Sequence, residues 1–107
     1  PTNSSNKLLI QAVVSMGASV ATHCTIALFQ DSTAGAIAVV SDYHSAGNSH
    51  CEHSLTHYMT AGTTSSTTFK IRGGGHNAGT FTFNGASAAA HFGGVLASSI
   101  TITEISA

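Results

Sequence analysis

Within "NSHCEHSLTH", residues 48 to 57, three histidines, a cysteine and a glutamate crowd into a chain with little other ionisable chemistry. Imidazole, thiolate and carboxylate are the donors of zinc and iron sites, and such sites need all their donors to reach one ion at about 2.0–2.3 Å. On a strand, His53 and His57 share a face but stand four residues apart, about 13 Å by strand rise, too far to chelate a single ion. On a helix, His50, His53 and His57 would form one stripe, yet the surrounding residues carry no helix signal and the His-Glu-x-x-His spacing is absent. No His-x-His pair occurs either. The expectation is no metal and no cofactor within one chain. Metal chemistry at His50, His53 or His57 would need copies of one histidine meeting at a threefold axis. Because histidine loses its charge above a pKa of about 6.5, an interface rich in histidine would also loosen in acid.

Covalent catalysis finds no frame. Cys51 lies between His50 and His53, but adjacent strand residues point to opposite faces, and no Gly-x-Ser-x-Gly elbow occurs. The four acids, Asp31, Asp42, Glu52 and Glu104, show no paired context for glycoside cleavage. Gly73-Gly74-Gly75 is followed by neither Lys-Ser nor Lys-Thr, so a turn without side-chain constraint is the reading rather than a phosphate loop. The chain is therefore expected not to be an enzyme. An aromatic face with amides nearby is a usual element of sugar binding, and the candidates for such contacts are Tyr43, His44, Tyr58, His76, Asn77 and His91.

These residues must be carried by strands, because period-two alternation dominates the chain. Leu8 to Met16 separates into Leu8, Ile10, Ala12, Val14 and Met16 on one face and Leu9, Gln11, Val13 and Ser15 on the other. Thr22 to Gln30 and Ala36 to Ser41 flank a turn, Asp31-Ser32-Thr33-Ala34-Gly35, and should pair as a hairpin. Asp42 to Ser49 reads as a polar loop. Cys51 to Met59 puts Cys51, His53, Leu55, His57 and Met59 on one side. Thr68 to Arg72 and Thr80 to Asn84 alternate with Phe69, Ile71, Phe81 and Phe83 inward. Residues 85 to 94 read as a loose Gly/Ala segment. The last strand spans Val95 to Ile105, where Ile105 falls out of phase with Leu96, Ile100 and Ile102, as a bulge or a partner-facing surface would require. Seven or eight such strands, separated by Gly and Ser/Thr turns, predict an all-β antiparallel sandwich or jelly roll.

At 107 residues the chain fits one domain. Residues 1–6 are read as an N-terminal arm or linker from an upstream region, and 7–107 as a single β-sandwich. Three basic and four acidic residues give a formal charge of −1, far too few cations for phosphate-backbone binding, so no nucleic acid is expected. No apolar run approaches the roughly 20 residues of a membrane span, so no membrane insertion is expected. So few charges require a surface polar through hydroxyls and amides, or one covered by neighbouring copies. Cys24 and Cys51 could pair only if the fold brings their strands together.

Ser4-Ser5-Asn6-Lys7-Leu8-Leu9-Ile10, Thr67-Thr68-Phe69-Lys70-Ile71-Arg72 and Ser99-Ile100-Thr101-Ile102-Thr103-Glu104-Ile105 occur in order along the chain. In this arrangement the chain resembles C-terminal domains of bacteriophage fibre and other virion structural proteins, including capsid decorations. The resemblance implies a trimeric jelly roll of the tumour-necrosis-factor or complement-globular-head type, displayed on a virion. It also implies partners: two further copies in a homotrimer, other virion proteins through the N-terminal side, and a host-surface glycan. Tyr43 to His57 departs from the pattern of that group, and nothing specific carries over there. The expected role is non-enzymatic, either host contact from a tail or head fibre or capsid decoration. The alternative is a free carbohydrate-binding module, lectin-like, using loops 44–50, 73–78 and 84–94.

Overall fold

The structure is a computed structural model describing all 107 residues. It is all-β, with antiparallel pairing throughout, no α-helix, and one 3-10 turn at Phe92–Gly94. The strands are β1 (Lys7–Ala18), β2 (Thr22–Gln30), β3 (Ala38–His44), β4 (Ser49–Thr60), β5 (Phe69–Gly74), β6 (Phe81–Phe83), β7 (Gly85–Ala86), β8 (Ala89–Ala90) and β9 (Ser99–Ile105). One sheet places β4 along one side of β1, with β6 and β9 sharing the other side; the second sheet has the order β3-β2-β5. β7 and β8 form a two-residue ribbon whose turn residues, Ser87 and Ala88, both take positive φ. That is the geometry of a tight primed hairpin turn, here made without the usual glycine or asparagine.

The alternation of β1 builds the core. Leu8, Ile10, Ala12, Val14 and Met16 are all buried, and from Ile10 to Met16 they form one cluster with Cys24, Ile26 and Leu28 of β2 in the facing sheet and Cys51 and Leu55 of neighbouring β4. Burying each large apolar side chain in such a cluster contributes about 1.5–3 kcal/mol. The β2–β3 hairpin forms as its turn chemistry predicts, pairing Thr22 with His44 and Cys24 with Asp42. It runs further than expected, however, because β3 continues through Asp42 and Tyr43 to His44, in what reads as loop from composition alone.

Gly73 and Gly74 likewise lie inside β5 rather than in a turn. Close approach is the reason for glycine here: a Cβ on Gly73 would sit 2.8 Å from the Phe83 ring, and one on Gly75 would strike the His23 carbonyl. β9 starts only at Ser99 and pairs one-to-one with β1 from Val13↔Ser99 to Lys7↔Ile105, so it carries no bulge. Ile105 is out of phase simply because it lies on the outer face beside Lys7.

Between the start of β9, at Ser99, and the end of β6, at Phe83, β1 loses its ladder partner on that side, and side chains complete the seam. Ser15 N–H donates to Ser98 Oγ at 3.1 Å, Ser98 Oγ donates to Asn84 Oδ1 at 2.7 Å, and Asn84 N–H returns to Ser15 O at 2.8 Å. Asn84 holds φ 60° to do this, a conformation asparagine tolerates better than most residues.

Residues 1–6 fold back against the end of β9. Glu104 Oε1 accepts from Thr2 N–H at 2.7 Å, Thr2 Oγ1 at 2.9 Å and Asn6 Nδ2 at 2.7 Å, while Asn6 Oδ1 accepts from Ala107 N–H at 3.1 Å. These donors favour the ionised carboxylate and hold the Glu104 pKa down to about 2 from 4.5, the Asn6 amide contributing most. A folded-state pKa below the unfolded one stabilises the fold above pH 4.5 and stops doing so as pH falls towards 2. Replacing Glu104 by Gln should therefore flatten the wild-type loss of stability across that window in urea titrations at stepped pH. An unchanged pH profile in the variant would show that the clamp does not form.

Candidate functional site

The two sheets meet along two margins of opposite chemistry. On the side where β3 faces β4, every inward residue at one end is polar or sulfur-bearing. β2 contributes Cys24, β3 contributes Asp42 and His44, and β4 contributes Cys51 and His53. Strand parity explains the assembly: Cys24 pairs with Asp42 and Thr22 with His44 across the hairpin, so all four project to one face, while Cys51 and His53 are two residues apart on the facing strand.

One ligand atom from each of Cys24, His44 and Cys51 lies within 4.8 Å of the others. Both thiols are free and buried. Burial pushes the Cys51 thiol well above the usual range, reinforced by a hydrogen bond and the charge of Cys24 and by the Asp42 carboxylate. Asp42 Oδ1 stands 3.8 Å from His44 Nε2 and 3.4 Å from His53 Nε2.

The His44 tautomer follows from its neighbours. Ser49 Oγ donates its only hydrogen to Ala46 O at 2.8 Å, so at 3.0 Å from His44 Nδ1 it can only accept. His44 therefore carries its proton on Nδ1 and leaves a lone pair on Nε2. His53 is the opposite case: it is 6% exposed, and neither ring nitrogen has a hydrogen-bond partner. Polar groups left this way cost about 1–3 kcal/mol each, and native structures keep few of them.

The other margin, where β5 faces β9 and β6, is open and apolar. Val14, Ile71, Phe83 and Ile100 line a cleft of about 340 Å³ at the seam between β6 and β9. Leu8, Phe69 and Ile102 line the apolar side of a neighbouring one of about 350 Å³, whose other side is polar, made by Ser66, Thr67 and Glu104. Ile100 and Ile102 share the face of β1's core residues yet remain 42% and 47% exposed, because only Ile71 and Phe69 of β5 stand opposite them, across the two clefts.

The remaining candidates scatter. Tyr43 stacks edge-on against His23 at 5.2 Å, and His23 Nδ1 lies 2.9 Å from His76 Nδ1, at the end of a trough of about 500 Å³ on the outer face of β2, β3 and β5. Asn77 donates its backbone N–H to Thr22 Oγ1 and its side-chain Nδ2 to Ala21 O. His91 packs on His50 at 4.5 Å, on the outer side of β4. Tyr58 stands eight residues further along β4, about 26 Å by strand rise, and meets none of them. His57 faces inward opposite Ile10, partly buried. Loops 44–50, 73–78 and 84–94 do gather at one end, around the turn after β1: Asn48 N–H reaches Ala18 O, Asn77 reaches Ala21 O, and Gly85 O would lie 2.7 Å from a Cβ on Gly17.

Sequence reasoning placed His44 among sugar contacts and did not bring Cys24 or Asp42 to any site. The available signal was the hairpin: pairing Thr22–Gln30 with the following strand puts Cys24 opposite Asp42. No protein-family model, curated protein or solved structure matches the chain.

The unpartnered imidazole makes a direct prediction. His53→Leu should raise unfolding free energy by about 1–2 kcal/mol, because it removes two orphaned polar atoms at similar volume. Urea unfolding of the reduced chain in a chelating buffer measures it. A variant less stable than wild type would mean that the His53 ring finds a hydrogen-bond partner.

Proposed function

We propose that this chain is a non-enzymatic structural protein of a bacteriophage particle, a jelly-roll domain that forms a homotrimer. It serves either at the tip of a tail or head fibre, where its outer surface contacts the host, or as a decoration on the capsid. Three separated sequence stretches resembling virion domains support the class of protein. The observation that carries the self-assembly is the open margin between β5 and β9. Phe69, Ile71, Phe83, Ile100 and Ile102 form a row of partly covered apolar side chains along the length of the sandwich.

Only 19 of 107 residues are buried, a small core for a chain of this size, so covering that row gains what the isolated chain lacks. Copies of the same chain are the fitting occupant, because the surface carries few charges to select a different partner and rotational closure is the common solution for homo-oligomers. The N-terminal side is the proposed attachment to other virion proteins, which places the domain on an extracellular particle.

Sedimentation equilibrium at micromolar concentration should give three times the chain mass. Ile100→Lys with Ile102→Lys should give a folded monomer with the same β-sheet circular dichroism. A wild-type chain that sediments as a monodisperse monomer overturns the trimer.

The trough on β2, β3 and β5 favours a second reading, carbohydrate binding. Tyr43, His23 and His76 flank one end of it, Ser41 offers a hydroxyl, and the Arg72 guanidinium lies 4.7 Å over Phe29 at the other. Under this reading, oligosaccharides at millimolar concentration should shift the His23, Tyr43 and His76 ring resonances and leave His57 and Tyr58 unmoved. Uniform or absent shifts across a glycan panel would exclude it.

A further inference from the structure

We propose that Cys24, His44 and Cys51 bind a zinc ion between the two sheets, with Asp42 completing the coordination, as a structural cross-link of the sandwich. This site is independent of the reading of the chain as a virion protein, and it needs no second copy.

The donor set selects the metal. Two thiolates, one imidazole and one carboxylate form a mixed sulfur and nitrogen environment that suits zinc, whereas magnesium and calcium require oxygen. The spacing is close to what such an ion requires. Bond lengths of about 2.3 Å to sulfur and 2.0–2.1 Å to nitrogen imply ligand-to-ligand edges of about 3.3–3.8 Å. The donor atoms of Cys24, His44 and Cys51, already within 4.8 Å of one another, therefore need to close by about 1 Å, within reach of side-chain rotation, and Asp42, 3.8 Å from His44 Nε2, has to turn in to supply the fourth ligand.

Each donor comes from a strand whose position is fixed by ladder pairing: Cys24 and His44 by the β2–β3 hairpin, Cys51 by its pairing with Met16. As the ion binds, each thiol gives its proton to solvent and forms a sulfur–metal bond, leaving a dithiolate whose charge offsets that of the cation.

Two further observations point to a ligand rather than to a packing accident. The Ser49 and Ala46 contacts fix the proton of His44 on Nδ1, leaving Nε2 with its lone pair beside Asp42 at 3.8 Å. A second partner on the far nitrogen is how metal-bound histidines are usually held. His53 explains the other: buried without a partner, it stands 3.4 Å from Asp42 Oδ1. Once Asp42 turns to the ion, His53 can donate to the carboxylate from behind and lose its orphan status. A Cys24–Cys51 disulfide would use both sulfurs and leave the His53 nitrogens as they are. Asp42 is more than half exposed, so the ion can enter from the β3–β4 edge.

Cobalt(II) added to the reduced, chelator-stripped full chain should produce a thiolate-to-metal charge-transfer absorption and the strong visible bands of a tetrahedral site, saturating at one ion per chain. Zinc should displace it. Cys24→Ser and Cys51→Ser should each remove the charge-transfer intensity or halve it, and His44→Ala should weaken cobalt binding at least tenfold. His57→Ala and His76→Ala, outside the cluster, should leave spectrum and stoichiometry unchanged. Because a cysteine variant can fail to fold, the wild-type chain supplies an independent measure: zinc should raise its thermal midpoint, and EDTA should reverse the gain. Absence of the charge-transfer band in the reduced wild-type chain overturns the site. So does a protein isolated under non-reducing conditions with both thiols joined in a disulfide that forms again after reduction in the presence of zinc.

Discussion

The inner row of β1 sets the register of nearly everything else. Leu8, Ile10, Ala12, Val14 and Met16 meet Cys24, Ile26 and Leu28 across the sandwich, while the backbone of the same strand pairs with β4 on one side and with β9 and β6 on the other. A shift of one residue would turn that row to solvent, so the apolar alternation of one strand fixes three ladders at once. The weak point of this plan is the gap on β1 between the first residue of β9 and the last of β6. Ser15, Ser98 and Asn84 bridge it with side-chain hydrogen bonds, and the cleft lined by Val14, Phe83 and Ile100 opens at the same place. Ladder continuity and core coverage fail together because one strand has to serve two short partners.

From that register the two margins of the sandwich acquire opposite chemistry. β4 runs the full length of β1 and brings Cys51 and His53 over the β2–β3 hairpin, so that margin closes on thiols, imidazoles and a carboxylate. β9 covers only the first half of β1 and has nothing facing it except Phe69 and Ile71 of β5, so the other margin stays apolar and open. A closed polar margin is stable only if each polar group finds a partner, and an open apolar one only if something covers it. The unpartnered His53 and the exposed Ile100 and Ile102 are the unmet halves of those two requirements.

Alternation made most of the strands legible in the sequence. Val14 and Met16, Cys51 and Leu55, and Phe69 and Ile71 all take the inward positions their phase predicts, because one buried face leaves little choice of register. What composition hid were strands with polar or glycine residues. Asp42 and Tyr43 pair in β3, and Gly73 and Gly74 pair in β5, because ladder hydrogen bonds depend on the backbone and not on the side chain. The site was illegible for a different reason. Cys24 and Cys51 are 27 positions apart (51 − 24) on different sheets, and no spacing along one strand reports which strands face each other across a core. Within "NSHCEHSLTH" itself, strand geometry divides His50 from His53 and His57 on the other face and leaves Cys51 without a second ligand of its own strand close enough to share an ion. Cys51 and His53 belong together, but their partners are supplied by the hairpin.

A chain with three basic residues, four acidic ones and a small core has few ways to hold two sheets together. Surface ion pairs are nearly absent from its composition, and each would add at most about 1 kcal/mol. Enlarging the core would mean replacing the Ala, Gly and Thr that let strands approach closely, as Gly73 does against Phe83. Cross-linking the sheets at one margin and covering the other with copies of itself both avoid that constraint, and they act on different edges. A metal centre at the β3–β4 margin would fix the separation of the sheets, and through it the shape of the β5–β9 cleft that a neighbouring copy must fit. The two margins share one element: the β1 segment that pairs with Cys51 and His53 carries Val14 and Met16, of which Val14 lines the cleft and Met16 pairs with Phe83, so a proposed cross-link at the first margin and a proposed contact at the second would bear on the same strand.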